Sequence, residues 1–179
     1  MTARVGYAAG AFDLFHIGHL NLLKHARSAC DFLIAGVVSD EMLESAKGRP
    51  PVVPLAERME IVRHISFVDR VHAETLPDKL DTWEVLRFDV FIKGDDWRGT
   101  DQARRLEQRF AEVGVEVVYF PYTLNTSSTL LRRALEALAS ESEGSSAATD
   151  DVSAISMAAH SRHHVPPAER PRRTEEARS

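Results

Sequence analysis

The chain has 179 residues, 44% of them hydrophobic, with 27 acidic and 22 basic side chains for a net charge of −5. That length supports one α/β unit with a buried core, and the acidic balance excludes a protein built to coat nucleic acid or a membrane surface. No apolar run approaches the roughly 20 residues of a membrane-spanning helix, and the start Met1-Thr2-Ala3-Arg4-Val5 lacks the apolar core of a signal peptide.

In chain order, short β-rich runs alternate with amphipathic stretches. Strands are predicted near Arg4–Ala8, Phe32–Ser39, Arg70–Ala73, Val90–Lys93 and Val115–Tyr119. Helices are predicted between them at Gly18–Ala29, Leu55–Ser66, Lys79–Leu86 and Asp101–Val113, with a last one from Ser127 to about Ala139. In the first helix Leu20, Leu23, Ala26 and Cys30 form one apolar stripe, and Gly114 stops the fourth where a C-terminal glycine belongs. Cys30, the one cysteine, reads as a small buried hydrophobe and fits a reducing cytoplasm. Parallel neighbours need right-handed crossovers, so the alternation implies a doubly wound parallel five-stranded sheet, Rossmann-like in layout. From Ser140 to Ser179 the composition turns to Ser, Ala, Glu, Asp, Pro and Arg, which predicts a folded domain over residues 1–139 and a disordered tail over 140–179. The tail's basic cluster at 170–173 and its His160, His163 and His164 read as solvated groups.

Chemistry concentrates in Ala9-Gly10-Ala11-Phe12-Asp13-Leu14-Phe15-His16-Ile17-Gly18-His19, which leaves the first strand and enters the first helix. That strand end is where open α/β sheets bind ligands. Gly10 permits a tight turn with close backbone approach, and the helix start offers free amides and a positive dipole end to phosphate. His16 and His19, three residues apart, lie on one side of that turn and can donate to charge developing on a phosphate. A bare pair at this spacing also fits two structural histidines, or a zinc fragment for which no third ligand lies near in sequence. Downstream, Lys47 and Arg49 stand on a polar segment after the second strand, where a loop could close over a ligand. Ser127, Ser128 and Thr129 can cap the last helix while their hydroxyls and amides hold phosphates.

The segment Gly10 to His19 resembles the signature of the cytidylyltransferase family, within the wider His-x-Gly-His nucleotidyltransferases. Lys93-Gly94-Asp95-Asp96-Trp97 resembles the Gly-Asp-Asp-Trp element of glycerol-3-phosphate cytidylyltransferases, and Thr126-Ser127-Ser128-Thr129-Leu130 the element that opens their last helix. Lys47-Gly48-Arg49, Glu57-Arg58 and Val68-Asp69 resemble the middle of the same domain, so the likeness runs over roughly Val5–Leu135. It implies transfer of CMP from CTP to a phosphorylated alcohol, glycerol 3-phosphate or similar, with release of pyrophosphate. His16, His19 and Lys47 would be catalytic. Gly10, Ala11, Phe12, Asp13, Gly18, Asp95, Asp96, Trp97, Thr126, Ser127, Ser128 and Thr129 would bind nucleotide, and Arg49 and Arg63 the acceptor. Mg²⁺ would accompany the triphosphate without a dedicated protein cage. The resemblance also implies a homodimer, and the single cysteine with no membrane span or signal peptide predicts a cytoplasmic protein.

Two positions depart from that family. Ser66 and Tyr122 stand where glycerol-3-phosphate enzymes carry arginines, with Arg63 one turn earlier and Arg132 and Arg133 later in the last helix as candidate replacements. These departures bear on the acceptor more than on the reaction. Adenylyl transfer from ATP to a phosphorylated small molecule, and a nucleotide-binding sensor without turnover, both stay open at this point.

Overall fold

The computed structural model describes residues 2–121 and 126–146, with side chains as far as Glu141. Tyr122, the basic cluster at 170–173 and the three tail histidines lie outside the described residues. The chain divides into two compact units, the first ending at Glu141.

The elements run β1 (Val5–Gly10), α1 (Ile17–Ser28), β2 (Phe32–Val38), α2 (Asp40–Lys47), α3 (Leu55–Arg63), β3 (Arg70–Glu74), α4 (Lys79–Leu86), β4 (Val90–Gly94), α5 (Asp101–Glu112), β5 (Glu116–Phe120) and α6 (Ser128–Ser146), with a 3-10 turn at Asp95–Trp97 after β4. All strand pairs are parallel, in the order β3-β2-β1-β4-β5. The chain builds outward from β1 to β3, then crosses back to place β4 on the other side of β1. The order therefore reverses between β1 and β4, and their C-terminal ends, Gly10 and Gly94, flank the crevice that such a reversal opens.

Alternation along the strands sends side chains to two cores. Ala8, Leu33, Ala35, Val37 and Ile92 meet Leu23 and Ala26 of α1 and Val62 of α3 on one face. Tyr7, Ala9, Ile34 and Phe91 meet Leu86 of α4 and Leu106 and Phe110 of α5 on the other. Strands buried on both faces read as continuous apolar runs, which is why β2 and β4 stand out in the sequence. The predicted stripe on α1 is confirmed at Leu23 and Ala26, both fully buried, with Cys30 half-buried against the same core. Gly114 does end α5: its N–H reaches Ala111 O at 3.2 Å and Val115 N–H reaches Phe110 O at 2.9 Å, the paired bonds of a Schellman stop.

Three expectations shift. The polar segment after β2 is not a loop but the helix α2. Ser39 caps it by accepting from Met42 N at 3.3 Å, Asp40 and Glu41 suit its first turn, and Gly48, at φ 69°, ends it in the left-handed conformation. β1 continues two residues past Ala8 to Gly10, because β2 offers partners as far as Val37. The last helix passes Ala139 and reaches Ser146, carried by helix-favouring Ala137, Leu138, Ala139 and Glu141.

Candidate active site

The loop from β1 to α1 is strained and then pinned. Phe12 (φ 51°) and Leu14 (φ 48°) both take left-handed backbone, so the turn is made there and not at Gly10. Each such residue costs on the order of 1–3 kcal/mol and persists only where the surroundings over-determine it. Asp13, between them, supplies that constraint. Its buried carboxylate accepts from Val53 N at 2.9 Å, Val52 N at 3.1 Å and Arg132 Nη2 at 2.8 Å, and its carbonyl accepts from Ser128 Oγ at 2.8 Å. Burial works against ionisation of Asp13, but the two amides and the guanidinium outweigh it and hold the carboxyl below its usual range. Asp13 thus spends its carboxylate on tying the loop to the segment before α3 and to α6, not on an open ligand position.

A second clamp was not singled out from sequence as a site residue. Arg58 of α3 has no exposed side-chain surface; its guanidinium donates to Ala11 O, to Val53 O at 2.8 Å and to Asp40. Gly10 serves through closeness: a Cβ there would stand 3.2 Å from Cζ of Phe12, whose ring is buried beneath it.

On this footing sit the histidines. His16 is the N-cap of α1, and its Nδ1 accepts from Gly18 N at 3.0 Å. An Nδ1 that accepts places the proton of the neutral ring on Nε2, which points toward Ser128 Oγ at 3.4 Å. His19 stacks on His16 with centroids 3.9 Å apart and is further confined by Phe12 at 5.4 Å and Phe15 at 5.5 Å. Its buried Nδ1 has no hydrogen-bond partner among the described residues, and the stacked and edge contacts with these rings confine it. Burial lowers the pKa of His16; burial and then His16 push His19 down to about 3. Both rings are therefore neutral hydrogen-bonding groups at neutral pH.

Three cavities meet at the crevice. A pocket of about 170 Å³ is lined by Gly10, His16, Gly18, His19, Asp96 and Trp97. A larger one of about 1100 Å³ shares Gly10, Asp96 and Trp97 and adds Ala11 and Lys47. A third of about 90 Å³, at the start of α6, gathers Asp13, Lys47, Arg49, Ser128, Thr129 and Arg132. Lys47, on the last turn of α2, borders the second and third. Most of the residues chosen from sequence thus converge on one edge of the sheet. Phe12 supports from the core, Ser127 caps α6 by accepting from Leu130 N at 3.2 Å, and Thr126 precedes that cap. Asp95 lies in the exposed turn after β4. Arg63 is not brought to the site: it pairs with Glu60 at 3.1 Å on the exposed side of α3 and lines none of the three cavities.

The large cavity also holds basic residues to which the sequence assigns no role of their own. Lys79 and Lys93 border it, with Arg105 and Arg109 at α5. Lys79 is seated by a fully buried acid: Glu74 Oε2 lies 3.2 Å from its Nζ, while Glu74 also accepts from Tyr7 Oη and from Thr82 Oγ1 at 2.8 Å. Gly36 makes room for that arrangement, since a Cβ there would overlap the Tyr7 hydroxyl. Among the described residues no three His, Cys, Asp or Glu side chains converge as metal ligands, and no helix is long and apolar enough to cross a membrane.

Comparison with known proteins agrees with this architecture. A model of the cytidylyltransferase-like family matches residues 7–134. The chain is 42% identical over 135 residues to the bifunctional protein HldE of Streptomyces coelicolor, covering 72% of this chain and 28% of that one. It is 37% identical over 116 residues to an FAD synthase of Pyrococcus abyssi (63% and 77% of the two chains), and 42% identical over 95 residues to an ethanolamine-phosphate cytidylyltransferase of Arabidopsis thaliana (50% and 22%). It therefore spans under a third of the length of two of these three relatives. Among solved structures, a lipopolysaccharide core biosynthesis protein from Thermoplasma volcanium superposes with a TM-score of 0.59 at 23% identity, over 70% of this chain and all of that one, which speaks to the fold alone.

Proposed function

The chain belongs to the cytidylyltransferase-like family, and we propose from that premise that it transfers CMP from CTP to a phosphorylated alcohol, giving a CDP-alcohol and pyrophosphate. The observation that carries this reading is the His16–His19 pair: two neutral stacked imidazoles, one with its proton on Nε2 beside Ser128 Oγ, at the N-terminus of α1 by the strand reversal and lining one pocket. A phosphate oxygen of the acceptor attacks the α-phosphorus in line. The new P–O bond forms as the bond to the β-phosphate oxygen breaks, and that electron pair leaves on pyrophosphate. The acceptor phosphate arrives as an anion, so no protein base is needed. The work left to the chain is positioning and stabilisation of charge.

The Nε2–H of His16 suits an equatorial oxygen of the reacting phosphorus, and the neutral His19 ring braces it. Lys47, between the second and third cavities, supplies positive charge to the phosphates, with Ser128, Thr129, Arg49 and Arg132 nearby at the start of α6. Mg²⁺ fits as a companion of the triphosphate: Asp13 is already committed to amides and Arg132, which leaves Asp96 as the carboxylate bordering the histidine pocket. When bound, the ion would screen the phosphate charges, its remaining coordination filled by water.

The FAD synthase relative, at 37% identity, gives adenylyl transfer from ATP standing as a second reading. The test is pyrophosphate release by the purified protein with Mg²⁺, offering CTP or ATP against glycerol 3-phosphate, phosphocholine, phosphoethanolamine, sugar phosphates and phosphopantetheine. Turnover with CTP and one acceptor is expected. Turnover with ATP alone moves the chain to the adenylyl reading, and nucleotide binding without turnover on any acceptor leaves it a sensor. Light scattering of the same sample tests the homodimer that the family resemblance implies.

A further inference from the structure

Lys93 is the residue that the mechanism above does not use and that two of the cavities share. It stands one position before the end of β4, directly across the strand reversal from β1, and its Nζ donates to Ala9 O at 3.2 Å. The same ammonium lies 5.5 Å from the centroid of the Trp97 ring, within reach of a cation–π contact. It borders the pocket of His16 and His19 and also the large cavity of Lys47 and Lys79. A half-buried lysine tied to one carbonyl retains two N–H bonds for other partners, and a cation in such a place is costly without an anion to meet it.

Resting on the nucleotidyltransferase reading, we propose that Lys93 is a substrate-binding cation common to both reactants, holding the acceptor phosphate and the nucleotide α-phosphate together at the mouth between the two cavities. Unlike Lys47 and the start of α6, Lys93 borders the pocket of His16 and His19, so it is placed to meet the phosphates where the new bond forms. It keeps its three protons throughout. The acceptor oxygen gains the bond to phosphorus, the pyrophosphate oxygen takes the departing pair, and Lys93 offsets the charge that two anions bring to one point.

The surroundings make this charge titratable in a useful range. Burial and then the Lys79 ammonium push the Lys93 pKa down to about 8, against the pull of Asp96 and Glu74, with Lys47 adding a small push in the same direction. These four groups come from α4, the turn after β4, β3 and α2, and the neutral His16 and His19 face it from α1. The cation is therefore present below about pH 8 and is lost above it.

The experiment compares wild type with Lys93→Met, which keeps the stem, and Lys93→Gln, which keeps a donor for Ala9 O without the charge. Binding of CTP with Mg²⁺ and of glycerol 3-phosphate is measured by calorimetry, and turnover across pH 6–10 (about that range suffices to bracket a lysine of this kind). Both variants should bind each ligand about 10-fold more weakly or worse and lose on the order of 100-fold in kcat/KM. The fall in wild-type kcat/KM above about pH 8 should vanish in both. Thermal melting should show both variants folded, because removing a half-buried charge relieves desolvation. Variants that keep both affinities and the alkaline limb overturn the proposal while leaving the reaction class intact. Restoration by Lys93→Gln alone would mean that the hydrogen bond to Ala9 matters and the charge does not, and would overturn it as well. A wild type that binds neither ligand overturns both readings together, whereas binding without turnover leaves the affinities to decide the case of Lys93.

Discussion

The β1–α1 loop and the wall of the large cavity face each other across one crevice and are built in opposite ways. The loop is one continuous stretch, Gly10 to His19, with two left-handed residues held by Asp13 and by the buried guanidinium of Arg58. The cavity wall is drawn from α2, the start of α4, the end of β4 and α5, and its amines Lys47, Lys79 and Lys93 each come from a different element. A contiguous, over-determined loop suits chemistry that every substrate shares, where rings must not move by more than a fraction of an ångström. A wall of separate contributions can change one residue at a time, which suits the part of the site that distinguishes acceptors. If this division holds, damage to the loop should fall on kcat whatever the acceptor, as should loss of the shared cations Lys47 and Lys93, while damage to the outer wall at Lys79, Arg105 or Arg109 should fall on particular substrates.

The largest effect should come from His16. His16→Ala removes both the helix cap and the Nε2–H donor, and kcat should fall on the order of 10²–10³-fold with every acceptor, with about 1 kcal/mol of stability lost. His16→Asn separates the two roles, because asparagine is a good N-cap. The melting temperature should recover while turnover stays low. Recovery of both would show that His16 acts only as a cap. Next comes Arg58→Met, which strands the Ala11 and Val53 carbonyls and frees Asp40; denaturant unfolding should report a loss of about 3 kcal/mol.

Acid should find the same loop. Asp13 has a native pKa held below its unfolded value, so its contribution to stability is complete above the ordinary carboxylate range near ~3.9 and fades as pH falls through the native value. Asp13→Asn should cost about 1–3 kcal/mol at neutral pH and flatten that acid limb. On the other side of the crevice, Gly36→Ala drives a methyl group into the Tyr7 hydroxyl and so disturbs the Glu74 seat of Lys79. About 1–3 kcal/mol should be lost, and acceptor KM should rise more than nucleotide KM. An equal rise in both would erase the proposed division.

The same contrast explains what could be read from sequence. Gly10 to His19 is legible because its chemistry is local: a strand end, a helix start and two histidines within one turn. The strands and the stripe of α1 are legible because period and burial are written in neighbouring residues, as at Leu23 and Ala26. α2 was open to view through Ser39, Asp40 and Gly48, but its charge pattern reads equally as a polar loop. Glu74 and Lys79 carry no local signal, and Arg58 and Lys93, although inside stretches that resemble the family, show no role of their own there. A buried arginine becomes a clamp only when α3 lies under Ala11, and Lys93 reaches Ala9 only because β4 pairs with β1. Such roles depend on topology, which a linear reading supplies only after the fold is known.

The smallest effect sharpens the comparison most economically. Arg63 was a sequence candidate for the acceptor, one turn before Ser66, and the structure turns it outward onto Glu60. An exposed i,i+3 pair of this kind contributes little, so Arg63→Ala should change stability by less than about 0.5 kcal/mol. It should also leave the acceptor KM within about twofold, since Arg63 lines none of the three cavities described above. Arg49→Ala is the matched control. Arg49 is also exposed, though less than Arg63 (45% against 61%), and is also paired, to Glu136 at 3.4 Å, yet it lines the pocket at the start of α6. Loss at Arg49 with none at Arg63 would follow cavity membership and not charge. A rise of tenfold or more in acceptor KM for Arg63→Ala would instead place the end of α3 against substrate, and the acceptor side of the site would then extend beyond the wall described above.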